Sequence, residues 1–84
     1  MKESFIAEVE RLITNDKRGE YGSVTESFQK IADGWSDILG CTIEPSQVAL
    51  CMVWLKMCRE INKSKHDNRI DIAGYAYCLD LLND

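Results

Sequence analysis

The fold is decided by residues 23–40, which read SVTESFQKIADGWSDILG. The segment starts with the spacing of a capping box, in which Ser23 accepts a backbone N–H and Glu26 reaches back to the cap. Gly40 lies where a glycine commonly ends a helix. Between them, apolar residues recur at helical spacing along one stripe: Val24, Phe28, Ile31, Trp35 and Leu39. The segment therefore predicts an amphipathic helix over residues 23–39.

The next segment, residues 45–62, predicts a helix that is apolar on nearly every side. Pro45 fits the first turn, where its missing N–H costs nothing. An uninterrupted apolar run follows from Val48 to Leu55. A helix of this kind is usually central or shared with a partner chain, and a chain of 84 residues is too small to surround it. We therefore expect the protein to form a homo-oligomer.

Two further amphipathic segments complete the pattern. Residues 2–15 and residues 68–82 each carry apolar side chains at helical spacing. Residues 16–22 contain two glycines and are predicted to be a loop. Asp67 is a good candidate for the N-cap of the last helix. No alternating strand pattern is present, so the sequence predicts an all-α fold, a compact four-helix single domain over residues 1–84.

Charge and cysteine content exclude several classes of function. The net charge of −4 disfavours binding to nucleic acid or to an anionic membrane surface, because both need an excess of cations. No apolar run approaches the roughly 20 residues of a membrane span, and the N-terminus does not resemble a signal peptide. The four cysteines have no CxxC spacing and His66 is the one histidine. We therefore expect no zinc site and no Ser or Cys nucleophile with a histidine base, and we expect buried, reduced thiols.

Two cations interrupt the most apolar helix. Lys56 and Arg59 lie three residues apart, so they point to one side. A cation in such surroundings normally has a partner. That partner is either Asp67 or Asp71, in a buried ion-pair network, or a phosphate or carboxylate ligand. The two interpretations are compatible, and the sequence leaves both open.

The glycine-bearing loop is a second candidate for phosphate binding. A helix N-terminus binds phosphate through its backbone N–H groups, and the Arg18 guanidinium can add a bidentate contact. The alternative is a simple turn with Tyr21 packed on the bundle. Tyr21, Tyr75 and the two tryptophans, Trp35 and Trp54, can stack on a base. For a tryptophan on a helical stripe, however, packing in the core is the more frequent role.

A set of short motifs over residues 18–78 resembles a known family. The motifs are Arg18-x-x-Tyr21-Gly22, Phe28-x-x-Ile31-Ala32-x-x-Trp35-Ser36, Leu39-Gly40, Ile43-x-Pro45, Val48-Ala49, Lys56-x-x-Arg59 and Asp67-Asn68-x-Ile70-Asp71-Ile72-Ala73-Gly74-Tyr75-Ala76. Together they resemble a family of small phage and prophage proteins of unknown function. The resemblance implies an accessory protein that acts in the cytoplasm of a bacterial host.

A more distant likeness is to the all-α NTP pyrophosphatases of the MazG type. Those proteins are helical and usually oligomeric, and hold Mg²⁺ with an ExxE motif and a later ExxD motif. Lys56-x-x-Arg59 stands where the first acidic pair is expected, and Asp71-x-x-Gly74 stands where the second is expected. Only Asp71 is acidic. On charge grounds, this departure favours direct phosphate binding over a metal-bridged site.

The sequence therefore predicts a protein that binds a phosphorylated small molecule, for instance a nucleotide, without turnover and without a cofactor. In a phage, such a protein can sequester a nucleotide signal of host immunity. The expected roles are phosphate contact, base contact and orientation of the cations or ribose. Lys56 and Arg59, assisted by Arg18, are expected to contact the phosphates. Tyr21 or Tyr75 is expected to contact the base. The residues expected to orient the cations or the ribose are Asp67, Asn68 and Asp71.

Two other classes of function remain open. One is a Mg²⁺-dependent enzyme that cleaves nucleoside triphosphates, using Asp71 with Asp67 or Glu26. The other is a protein that binds and inhibits a host enzyme, or an adaptor for a host protein, for which an acidic surface and an exposed apolar flank are suitable.

Overall fold

The computed structural model describes residues 2–83, and this range contains helices and no β-strand. We number the helices α1 to α4. Helix α1 covers residues 5–21 in three consecutive segments, Phe5–Arg11, Leu12–Asp16 and Lys17–Tyr21; α2 is Val24–Leu39, α3 is Pro45–Asn62 and α4 is His66–Leu82. The predicted all-α, four-helix fold is confirmed. None of these helices is both long enough and apolar enough to cross a bilayer.

Helix α1 is longer than the sequence predicted, because residues 17–21 continue it. Its middle segment, Leu12–Asp16, is a π-helix, whose wider turn disturbs the usual pairing of backbone carbonyls. Arg18 compensates: its Nε donates to the Ile13 carbonyl at 2.9 Å and its Nη1 to the Gly22 carbonyl at 2.7 Å. The helix ends only at Gly22, whose φ of 81° favours glycine. The prediction of a loop from residue 16 was therefore wrong.

Helix α2 begins and ends at the predicted residues, although within residues 2–83 only the Ser23 half of the predicted capping box is formed and Glu26 makes no bond back to the cap. The Ser23 hydroxyl accepts a hydrogen bond from the Glu26 N–H at 3.1 Å, and Gly40 ends the helix with a φ of 71°. The apolar stripe is only partly buried, because Ile31 and Leu39 stay exposed. The side chains that reach the core from this helix are Val24, Phe28 and Ala32.

Helices α3 and α4 form a hairpin and pack more extensively than any other pair of helices. Helix α4 begins at His66, two residues earlier than the sequence predicted, and Lys65 rather than Asp67 is its N-cap. Asp67 instead lies in the first turn, where the helix dipole favours an acid. His66 Nε2 lies 2.7 Å from Glu8 Oε2 and so joins the start of α4 to α1.

The core lies between all four helices. Its buried members are Val9, Ile13, Val24, Phe28, Ala32, Val48, Ala49, Ile70 and Cys78. Helix α1 packs closely on α4 at Gly74, where an added Cβ would lie 3.2 Å from Ile13 Cδ1. This contact joins the middle of α1 to α4.

One side of α3 does not contribute to the core. Trp54 is 65% exposed and Ile61 is 82% exposed. Cys51 and Cys58, on the same helix, are exposed as well, as is Cys41, and only Cys78 is buried. The expectation of buried thiols was therefore wrong at these three cysteines, and Trp54 does not take the core position that is the more frequent one for a tryptophan on a helical stripe. All four thiols are free, as expected.

Candidate functional site

A cleft of about 390 Å³ opens between α1, α2 and α4, with one residue of α3 at its edge. We call it the aromatic cleft. Its volume lies within the range of small-molecule sites, ~300–1,000 Å³. Five of the eight predicted binding residues line it: Arg18, Tyr21, Lys56, Asp71 and Tyr75. Its other walls include Lys17, Phe28 and the buried Cys78.

A second, more open cleft of about 650 Å³ lies along the hairpin of α3 and α4. We call it the polar cleft. It is lined by five predicted residues, Lys56, Arg59, Asp67, Asn68 and Asp71, together with Cys58, Asn62, Lys63 and Lys65. Lys56 and Asp71 line both clefts. The structure therefore distributes the eight predicted residues over two adjoining clefts that share one wall.

The shared wall is an ion pair between α3 and α4. Lys56 Nζ lies 2.9 Å from Asp71 Oδ2, and the two side chains are 16% and 30% exposed. Asp71 is one of the two carboxylates that the sequence proposed as a partner. An ammonium group has three N–H donors, so the bond to Asp71 leaves Lys56 able to donate to a ligand as well.

The sequence suggested that Arg18 lies in a phosphate-binding loop, but the structure places it on a helix. It is on the last turn of α1, and its guanidinium holds the carbonyls of Ile13 and Gly22. Two of its five N–H donors are used in this way. Tyr21 is also helical, is 55% exposed, and has the Lys17 Nζ 5.5 Å from its ring centroid. This separation is within the range of a cation–π contact.

The floor of the aromatic cleft is apolar. The rings of Phe28 and Tyr75 meet edge to face, with centroids 6.3 Å apart. Burial, with a smaller contribution from the charge of Asp71, raises the pKa of Tyr75 above its usual value. Burial likewise raises the pKa of the Cys78 thiol. At neutral pH, Tyr75 therefore keeps its hydroxyl proton and Cys78 is a neutral thiol rather than a nucleophilic thiolate.

Asn68, which the sequence assigned to the ligand, has structural partners. It is 8% exposed, and its Nδ2 donates to the Lys63 carbonyl at 3.1 Å and to Glu60 Oε1 at 3.3 Å. Glu60 also accepts hydrogen bonds from the backbone of Lys65 and from the side chains of Ser64 and Arg69. These bonds, the Lys65 N–H above all, lower the pKa of Glu60 to about 2. The carboxylate thereby fixes the turn that forms one end of the polar cleft.

The sequence analysis missed Lys17, Phe28 and Glu60. Lys17 and Tyr21 are four residues apart, a spacing that signals contact only on a helix, and this segment was predicted to be a loop. Phe28 was interpreted only as part of a core stripe. Glu60 lies three residues before the turn, and this position near the end of α3 is the signal that could have identified it.

The acidic residues give limited support to a metal site. Asp67 and Asp71 line the polar cleft together, whereas Glu26 lines neither cleft. Across residues 2–83, no three His, Cys, Asp or Glu side chains come together in a way that could hold a metal ion.

Comparisons with known proteins identify a family. The model of DUF6378, a domain of unknown function, matches residues 4–83. The Gene 55 protein of Mycobacterium phage D29 is 36% identical over 83 residues, which is 98% of this chain and 55% of that protein. The Gene 55 protein of Mycobacterium phage L5 is 33% identical over 81 residues, which is 94% of this chain and 52% of that protein. The chain thus spans about half the length of these curated relatives.

No solved structure matches the chain. The expected resemblance to a phage family of unknown function is confirmed, whereas the likeness to MazG-type pyrophosphatases has no support from these matches and stays a prediction. On the match over residues 4–83 and the two phage relatives, the chain belongs to the DUF6378 family.

Proposed function

We propose that the protein binds a nucleotide, or another phosphorylated small molecule, across the aromatic and polar clefts without turning it over. One observation carries this proposal. In a chain with a net charge of −4, the aromatic cleft is lined by three cations, Lys17, Arg18 and Lys56, and by a single carboxylate, Asp71. A local excess of positive charge in an acidic protein favours an anionic ligand.

The polar cleft extends the positive surface beyond Lys56. It is lined by Lys56, Arg59, Lys63 and Lys65 against Asp67 and Asp71. Arg59 lies about one turn from Lys56, and within residues 2–83 it has no carboxylate within 4.0 Å. Phosphate groups beside Lys56 would therefore meet the Arg59 fork, which suits bidentate contact.

The aromatic cleft suits the base of the same ligand. Tyr21 and Tyr75 line one cleft, and a planar base can stack on either ring at ~1–3 kcal/mol per base. Asp71 then orients Lys56 through the 2.9 Å ion pair, and Asp67 is placed to orient the cations of the polar cleft. Sequestration of a nucleotide signal of host immunity in the bacterial cytoplasm is the biological role that we propose for this binding.

The test is a thermal-shift titration with nucleoside triphosphates, cyclic mono- and dinucleotides and ADP-ribose derivatives, with EDTA and with Mg²⁺. A ligand at 100 times its Kd adds about 2.7 kcal/mol, which raises the Tm of so small a domain by ~10 °C or more. Lys56→Ala should abolish the shift. Lys30→Ala, which makes the same charge change on an exposed position outside both clefts, should leave the shift intact.

Other outcomes would contradict the proposal. A shift that persists in Lys56→Ala would remove this residue from the site. Release of pyrophosphate with Mg²⁺ would favour the pyrophosphatase alternative through Asp71 and Asp67. The absence of a shift with every nucleotide would leave inhibition of, or an adaptor role with, a host protein as the remaining candidate.

A further inference from the structure

One exposed arc of α3 is mainly apolar and carries no charged side chain. We call it the outer face of α3, and its exposed members are Gln47, Leu50, Cys51, Trp54, Leu55, Met57, Cys58, Ile61 and Asn62. At about 100° per residue, these positions fall within one arc of the helix. Arg59, the exposed charged residue of α3, points about 140° away from Trp54 and lines the polar cleft.

The outer face is large enough for an interface. Leu50 is 56% exposed, Trp54 65% and Ile61 82%, with Leu55 and Met57 at 38% and 42%. Taking roughly 150–250 Å² for a large side chain, these five expose ~500 Å² of apolar surface. Cys51, Cys58, Gln47 and Asn62 are also exposed on this face and add to the area, which is to be compared with the ~800 Å² that each partner buries in a standard stable interface.

We propose that this face binds a second copy of the same chain, with the two α3 helices antiparallel around a twofold axis near Trp54 and Leu55. The face runs from Gln47 to Asn62, so its midpoint falls between these two residues. A twofold dimer needs a self-complementary surface. An apolar surface without charges, centred on its largest side chain, meets that requirement.

Charges at the two ends of α3 favour the antiparallel orientation. Glu44 is the N-cap at one end, and Lys63 is the C-cap at the other, with Lys65 two residues beyond. An antiparallel pair places Glu44 of each copy beside the lysines of the other. A parallel pair would place like charges together at both ends, which is unfavourable.

The cysteines provide a measure of the register. Cys51 and Cys58 lie 3.5 residues on either side of the midpoint of the outer face, and both thiols are exposed. In the antiparallel dimer, Cys51 of each copy therefore lies opposite Cys58 of the other. In a parallel dimer, each cysteine would lie opposite itself. The aromatic cleft has only Lys56 of α3 at its edge and lies away from the outer face, whereas Cys58 and Asn62 of the outer face also line the polar cleft, so the second copy would border that cleft. The inference does not depend on the proposed function, because it rests on the outer face alone.

The first test is the mass in solution, measured by light scattering after size exclusion. The wild-type chain should have about twice the 9.6 kDa of one chain. Trp54→Asp should have the mass of one chain, with an unchanged helical circular dichroism spectrum. Ile6→Asp is the matched control, because Ile6 is 76% exposed on α1, and it should remain a dimer. A monomeric wild type, or a larger assembly, would overturn the proposal.

The second test is oxidative cross-linking with copper phenanthroline in a Cys41→Ser background. Each disulfide forms as two thiols give two protons and two electrons to O₂, producing H₂O₂. Cross-linked dimer should form in the background and disappear when either Cys51→Ser or Cys58→Ser is added. If each added substitution left the cross-link in place, the helices would be parallel and the proposed orientation would be wrong. If the wild-type chain were a monomer and formed no cross-linked dimer, a second copy would not bind the outer face, and the proposal would be overturned.

Discussion

The two sides of α3 differ in a way that residue size does not predict. On the inner side, Val48 and Ala49 are completely buried, and Lys56 pairs with Asp71 of α4. On the outer face, the largest side chain of the helix, Trp54, is 65% exposed. Small residues let the helices of one chain approach closely, whereas several bulky apolar residues of the same helix lie on its exposed side. The comparison teaches that the apolar content of a helix does not indicate which of its sides packs within its own chain.

The largest effect is expected when the same negative charge is introduced on the inner side and on the outer face of α3. Val48→Asp buries an unpaired carboxylate, which costs about 3–5 kcal/mol, a large part of the ~5–15 kcal/mol that stabilises a small domain. Trp54→Asp places the carboxylate in water, so the monomer should stay folded. Urea denaturation monitored by circular dichroism at two protein concentrations would measure both. Equal losses in the two variants would contradict the assignment of inner and outer sides.

Removal of the ion pair between Lys56 and Asp71, on the inner side of α3, should have a smaller effect on stability. Lys56→Ala and Asp71→Ala should each lower the free energy of unfolding by about 1 kcal/mol, because the pair is partly exposed and screened by solvent. The double variant should lose less than the sum, and the difference measures the coupling. Arg59→Ala, which removes a cation without a carboxylate partner in residues 2–83, should change stability by less than about 0.5 kcal/mol. Additive losses at Lys56 and Asp71 would show that the contact contributes nothing.

Helix α1 extends the comparison to a second helix with one exposed side. Gly19 lies in its last turn with no atom within 4 Å of an added Cβ, so Gly19→Ala should stabilise the protein by about 0.5–1 kcal/mol. Gly22→Ala should have the opposite sign, because its φ of 81° strains any other residue. Thermal unfolding of the two variants checks this. No gain at Gly19 would favour the loop that the sequence predicted.

The stability of the turn between α3 and α4 should depend on pH through Glu60. Hydrogen bonds hold the pKa of Glu60 at about 2, below its ordinary 4.5. A carboxylate with a lowered pKa stabilises the fold above its unfolded pKa and loses that contribution as the pH falls through its folded value. Stability should therefore decline between about pH 4.5 and pH 2, and the decline should be smaller in Glu60→Gln. Identical acid titrations of the two proteins, followed by urea midpoints, would contradict this role.

Much of the fold could be predicted because its signals are local. The capping serine and terminal glycine of α2 fix both of its ends, and Pro45 fixes the start of α3. The end of α1 could not be predicted, because the helix persists through Gly19 with support from Arg18, whose bonds depend on the folded backbone.

The sequence could predict which types of residue line the candidate site, but it could not predict how these residues are arranged in space. Periodicity places Lys56 and Arg59 on one side of α3, but it does not show that Lys56 pairs with Asp71 and lines both clefts, while Arg59 lines the polar cleft alone. The outer face was predictable only as an excess of apolar residues. Which of them are buried depends on how α3 sits against α4.

The shape of the aromatic cleft depends on the π-helical segment Leu12–Asp16 of α1. A π-turn accommodates about one residue more than an α-turn, and each residue rotates a helix by about 100°. Without that extra residue, the segment with Lys17 and Tyr21 would be rotated away from Tyr75, although its composition would be unchanged. The positive, aromatic edge of the cleft is thus the kind of feature that a single codon insertion can create in an ordinary helix, and that a single codon deletion can remove.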